Sequence, residues 1–235
     1  ILLFAPIFIW YIVFCYIPMP GAIIAFKDFS PGGGIFAGEW VGLKWFNQFF
    51  ASPFAFRIIR NTFLISIYSL VFGFPIPIIF ALCISEIRNQ KYRRFVQTAS
   101  YLPHFISTVV VVGMIKSFLS PGSGIVNLFI MRFGGRSIDF FSDPSYFRTI
   151  YVASGIWQGF GYSSIIYIAA ITGVDPDLYE SARIDGINKF KEVIYITIPI
   201  ISPTIVTLLL LNLGGLLSVG FEKVFLLYNP AIYET

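Results

Sequence analysis

Eight of the eighteen residues in DPDLYESARIDGINKFKE can carry a charge: Asp175, Asp177, Glu180, Arg183, Asp185, Lys189, Lys191 and Glu192. Across the whole chain only 12% of residues are charged, so this stretch is set apart. Carboxylates and cations at such density could bind a metal, run acid–base chemistry or meet a protein partner. The first two readings lack residues. There is one histidine, His104, and the two cysteines, Cys15 and Cys83, both lie in apolar runs. No His/Cys/carboxylate set has metal-ligand spacing. No nucleophile stands beside a base. No G-x-x-x-x-G-K-[ST] stretch is present to cradle phosphates, so ATP is not expected to bind this chain through a P-loop. No catalytic residue, metal site or bound cofactor is expected.

Local signals shape the patch. Asp175 suits a helix N-cap, and Pro176 the first helical position, where its missing N–H costs nothing. Asp177 adds an acid where the helix dipole favours one. Leu178–Asp185 then makes about two turns, and Gly186 suits the left-handed residue that closes a helix. A second helix is expected from about Asn188, with Ile187, Phe190 and Ile194 on one stripe. A helix as short as the first is marginal in water and needs something to hold it. That support is either the protein's own loops or a cytoplasmic partner.

The elements that position the patch are greasy. The chain is 57% hydrophobic with mean hydropathy +0.80. A soluble domain carries about 25% charged residues, and here the apolar residues run in long blocks. The expected class is an all-α membrane protein, a polytopic bundle of transmembrane helices forming one domain over 1–235. Spans are expected at about 1–26, 61–85, 101–119, 149–174 and 200–221. The patch, 175–199, falls between the last two, and a further span is expected to follow residue 235. The aromatics Trp40, Trp45, Phe46, Phe49 and Phe50 in the connection after span one either rest at the membrane interface or pack on other helices. Arg88, Lys91, Arg93 and Arg94 crowd the loop after span two, which the positive-inside rule places in the cytoplasm. Alternation of spans then puts 175–199 in the cytoplasm as well. The net charge of +4 follows from such loops and does not imply nucleic acid.

Polar groups inside spans are costly in lipid and often mark a pathway. Gln158, Tyr162, Tyr167 and Asn212, with Trp157 as a stacking face, could contact a sugar. Hydrogen bonding between helices would explain them equally. Gly155 and Gly159 form a G-x-x-x-G pair, read as a close helix contact.

The order Glu180-Ser181-Ala182, three residues, Gly186, nine residues, Ile196, one residue, Ile198-Pro199 resembles the EAA loop of binding-protein-dependent ABC importers. It departs from the family pattern at Ser181, for Ala, and at Ile198, for Leu. TASYLPHFIS (Thr98–Ser107) and FLLYNPAIYET (Phe225–Thr235) look like the carbohydrate branch, the maltose and glycerol-phosphate type permeases, and within it the LplB-like group. That group includes permeases for oligosaccharides and for uronate polymers such as alginate.

The resemblance implies a type I importer permease of the MetI-like kind in a bacterial cytoplasmic (inner) membrane. It implies that Glu180, Ser181, Ala182, Asp185, Gly186, Ile196 and Pro199 couple the chain to an ATPase. Glu180 would be the polar contact, and Ser181 and Ala182 would permit close approach. Phe190 and Ile194 would tie the loop to the permease's core. The implied partners are a second permease subunit, two ATP-binding subunits that hold ATP and Mg, an extracytoplasmic solute-binding protein and a carbohydrate. The competing class is an ion-gradient-driven secondary transporter, which would want ionisable residues within its spans.

Overall fold

The computed structural model describes residues 3–30, 32–34 and 38–229, so the end of the tail that resembles the carbohydrate branch lies outside the described residues. Two compact units are distinguished, Ile1–Ile59 and Arg60–Thr235.

In the first unit, α1 runs Ala5–Phe26 and none of its residues is buried. Pro6 sits in its first turn. It widens to a π turn over Ile12–Tyr16 and tightens to 3-10 geometry over Met19–Phe26. Both departures flank Pro18 and Pro20, which lack the N–H that a regular helix requires. The following connection folds back on the helix end. Lys27 pairs with Trp40 in an isolated bridge, and the Trp45 indole donates to the Lys27 carbonyl at 2.9 Å. Phe26 packs on Trp40 and Phe46, at 5.7 and 5.4 Å between ring centroids. Those two aromatics pack on Phe26 yet stay exposed, as does Phe50 on the short helix α2, Lys44–Ala51.

The second unit holds the longer helices. Helix α3, Ala55–Ser85, begins at the junction and continues through Pro75 and Pro77. Helix α4, Gln90–Tyr101, is capped by the Asn89 side chain, which accepts from Lys91 and Tyr92 N–H. A 3-10 turn at Leu102–Phe105 and extended backbone at Ile106 and Ser107 lead into α5, Thr108–Phe118. The chain bends by 101° there. The expected third span, 101–119, is therefore not one helix. Eleven residues of α5 cover about 16 Å, short of the roughly 30 Å hydrocarbon core. The break comes at Ile106 and Ser107, which are extended, whereas Leu102 before Pro103 keeps helical dihedrals. Helix α6, Ile125–Arg132, lies in the next connection.

Helix α7, Pro144–Thr172, runs 29 residues without a break, with Asp143 as N-cap accepting from Ser145 N–H at 2.8 Å. Then come α8, Pro176–Ile184; α9, Lys189–Gly214; and α10, Phe221–Leu227. Among the described residues three helices, α1, α3 and α9, are long and apolar enough to cross a membrane, and the bent α4–α5 pair makes a fourth. Helix α7 does not qualify because it carries polar and small residues along its length. Surrounding helices explain that composition, for a helix wrapped by protein need not be apolar all round.

Two buried clusters hold the unit around α7. One joins Ile65, Val112, Phe147 and Leu227. The other joins Ala81, Ile84, Tyr167 and Ile168. In lipid such contacts stabilise through close packing rather than through release of water. The tightest approach is at Gly161, where a Cβ would collide with the Ser100 carbonyl of α4. The expected Gly155/Gly159 contact is not what the structure uses: a Cβ at Gly159 would meet nothing within 4 Å, and Gly155 faces only the tip of Lys223.

Candidate coupling loop and substrate cavity

The charged patch folds as its caps predict. Asp175 Oδ1 accepts from Asp177 N–H at 3.0 Å, and Pro176 opens α8. The helix closes on Gly186, whose φ of +75° is left-handed. Ile187 N–H donates to the Ala182 carbonyl and Gly186 N–H to the Arg183 carbonyl, at 3.0 and 3.1 Å. These two bonds are the Schellman pair that satisfies a helix's last carbonyls. Asn188 caps the next turn by accepting from Lys191 N–H at 2.9 Å.

That second helix is not a separate element. Lys189–Glu192 runs through a π turn, Val193–Thr197, straight into the span, so α9 starts eleven residues before the expected 200. The wide turn sits where Pro199 withholds the N–H that the Tyr195 carbonyl would otherwise accept. A displacement of the loop thus acts directly on a helix crossing the membrane.

The attachment of the loop differs from the expectation. Phe190 is 73% exposed, and Ile194 is also exposed, so neither ties the loop to the core. Glu192 does. It is 3% exposed and accepts from Lys189 at 3.0 Å and from Arg183 at 3.5 Å. Lys189 also meets Glu86, at the end of α3, at 3.1 Å. Tyr179 and Thr197 share a hydrogen bond of 3.1 Å between α8 and α9. Ala182 is buried within the chain, whereas Ser181 beside it is exposed. Buried apolar neighbours cannot take an isolated charge, so Glu192 requires both cations.

The outward side is left to Glu180, Ser181 and Asp185, all exposed, and to Leu178, Ile184 and Phe190. Ile184 is 87% exposed, unusual for isoleucine beside so many charges. Gly186 is exposed, Ile196 is half-buried in the π turn, and Pro199 is exposed on the helix above.

Two cavities lie along α7. One, of about 470 Å³, is lined by Ser66, Tyr162, Tyr167 and Asn212 among others. The second, of about 370 Å³, is lined by Tyr151, Gly155, Gln158 and Lys223 among others. Ser69, Gly73, Pro77 and Ser163 line both. Three expected pathway residues, Tyr162, Tyr167 and Asn212, therefore share one cavity, and Gln158 faces the other. Trp157 lines neither. Gln158 already donates to the Ile106 carbonyl at 2.9 Å, which satisfies the bend between α4 and α5. Asn212 donates to Leu208 in its own helix at 2.8 Å. Tyr162 stacks on His104, 4.0 Å between centroids and nearly parallel. The polar groups of the walls are hydroxyls, amides and the Lys223 ammonium, set among aliphatic and aromatic side chains.

Residues 73–221 match the family described as binding-protein-dependent transport system inner membrane component. The chain belongs to that family. The match takes in the charged loop and most of both cavity walls. Two curated relatives from Bacillus subtilis (strain 168) are similar over nearly the whole chain. The polygalacturonan/rhamnogalacturonan transport system permease protein YteP is 43% identical over 99% of this chain and 73% of its own. Protein LplB is 41% identical over 97% and 72%. Among solved structures, a bacterial ABC transporter involved in the import of the acidic polysaccharide alginate matches with TM-score 0.91. It is 45% identical, covering all of this chain and 79% of that one. A second structure of the bacterial alginate ABC transporter, in complex with an alginate pentasaccharide-bound periplasmic protein, matches with TM-score 0.90 and 44% identity, covering all of this chain and 78% of that one. The fold is that of an ABC importer permease of the MetI-like kind.

Sequence reasoning missed the clasp in this permease. The Lys189–Glu192 pair was visible as an i, i+3 spacing on a helix. Its link to Glu86, 103 positions away, left no local signal.

Proposed function

We propose that this chain is the permease subunit of an ATP-driven importer that carries an oligosaccharide into the cytoplasm. The observation that carries the reading is the likeness to the alginate importer over the full chain, at 45% identity and TM-score 0.91. Helix α8 is the coupling helix. It docks on an ATP-binding subunit through Glu180, Ser181 and the apolar side chains Leu178, Ile184 and Phe190, all exposed among the described residues. ATP binding closes two such subunits and carries this helix and that of a second permease subunit together. The continuous helix α9 passes the movement to the cavity, which alternates between the two sides of the inner membrane. A loaded extracytoplasmic binding protein delivers the sugar. No Asp or Glu lines the two cavities, which disfavours a proton- or sodium-coupled secondary transporter.

The test is uptake by vesicles holding this chain with its partner subunits and binding protein. Glu180→Lys reverses a charge at the interface and is expected to lower ATP-dependent uptake by roughly 30-fold or more. Uptake that follows an imposed ion gradient, and ignores both ATP and the substitution, would sink the reading. Cysteine placed at Phe190 should react with a membrane-impermeant reagent from the cytoplasmic side alone.

A further inference from the structure

The two joined cavities have one charged residue in their walls, Lys223 of α10. Its Nζ donates to the Tyr151 carbonyl at 2.9 Å and lies 4.8 Å from the centre of the Tyr151 ring. Gly155 leaves it room, for a Cβ there would sit 3.3 Å from the ammonium. No carboxylate lies within ion-pair distance among the described residues. The adjacent acid, Glu222, is exposed and cannot face the same way, since neighbours on a helix diverge. Arg148, one turn before Tyr151 on α7, adds a second cation without an ion pair. It donates to Asn61 at 3.2 Å, and its Nε is buried with no partner.

A cation held in such a place is costly unless something completes it. Burial pushes the Lys223 pKa down to about 8, which expresses that cost. An ammonium has three donors, and the protein engages one with a carbonyl and offers an aromatic face to another. The third is left to the cavity that Lys223 lines, whose other polar groups are uncharged. A tether of α10 to α7 alone would be met by a neutral donor, with no charge to bury. The arrangement instead leaves a positive site open to the pathway.

We propose that the Lys223 ammonium is the carboxylate contact of the substrate pathway, and that the oligosaccharide carried is acidic, of the uronate kind. This rests on the reading of the chain as an oligosaccharide permease. An anionic lipid headgroup offers similar chemistry, and the experiment separates the two sources.

The complete importer is reconstituted in vesicles of low and high anionic-lipid content. ATP-dependent uptake of tetragalacturonate, tetramannuronate and neutral cellotetraose is measured for the wild type, Lys223→Arg and Lys223→Gln. Co-purification with the partner subunits checks that each variant assembles. The expected result is uptake of an acidic tetrasaccharide that falls about tenfold or more in Lys223→Gln, stays within about threefold in Lys223→Arg, and shows the same loss at both lipid contents. Should Lys223→Gln not assemble, methyl esterification of the acidic sugar is expected to affect Lys223→Arg and wild type alike, by about tenfold. Equal uptake by Lys223→Gln and wild type overturns the proposal. So does a loss that tracks anionic lipid, an ester carried as well as the acid, or wild-type uptake of cellotetraose alone, which leaves the permease reading standing. Absence of ATP-dependent uptake of all three sugars removes both.

Discussion

Replacing Glu192 by Gln removes one charge and almost no volume, so no cavity forms and the effect reports the clasp itself. The carboxylate is 3% exposed and makes two charge-assisted contacts, to Lys189 and Arg183. Breaking a fully buried ion pair from one side costs about 3–5 kcal/mol, mostly for the charge left behind. Here the cations left behind are 52% and 57% exposed and regain water, so that part largely falls away. What remains is two contacts at about 1 kcal/mol each, or roughly 2 kcal/mol. If the loop opens independently of the bundle, its opening equilibrium rises by about 30-fold. Amide hydrogen exchange of the importer in nanodiscs reads this directly. Faster exchange is expected over α8 and at Ile187, whose N–H closes the helix, with α7 unchanged. Glu86→Gln is the control. It removes one pair whose members are both about half exposed, and it should change exchange by less than about fivefold. Equal responses to the two substitutions, or no response to Glu192→Gln, would refute the clasp as the loop's attachment.

Gly161→Ala drives a methyl into the Ser100 backbone, which cannot rotate away, and should cost about 1–3 kcal/mol, seen as a lower Tm in detergent. Asn127→Ala should cost a similar or larger amount. This fully buried amide donates to the Leu119, Ser120 and Ile138 carbonyls and accepts from Ile138 N–H at 2.8 Å, so its loss should free the 119–138 connection to proteolysis. Gly186→Val forces a β-branched residue to a φ of +75° and should cost about 1–3 kcal/mol locally, raising exchange in the last turn of α8.

Local chemistry was legible in advance and distant pairing was not. Asp175, Pro176, Gly186 and Asn188 act on backbone groups within a few residues, so their types alone predicted the two helical turns. Phe190 and Ile194 were read inward because an apolar stripe normally seeks a core. That rule assumes water as the only alternative. In this chain lipid and a partner subunit are alternatives too, and the inner face of the loop is held by a carboxylate. The run 101–119 looks like one span by hydropathy, yet the extended residues Ile106 and Ser107 turn the chain through 101°. For the cavity, the sequence offered Gln158, Tyr162, Tyr167 and Asn212 through their cost in lipid, whereas Lys223 lay beyond the last expected span. Only the packing of α10 on α7 brings it to the cavity.

The polar and small residues of α7 have a consequence for how the protein is made. A segment that is not apolar enough to leave the translocon for lipid alone is inserted with help from helices already there. Helix α3, its main packing partner, is synthesised about sixty residues earlier and carries strongly apolar surface of its own. Helix α7 is thus recruited into the bilayer by an older neighbour. Damage to the α3 face at Ala81 or Ile84 would then surface first as a defect of membrane insertion, before any transport could be measured.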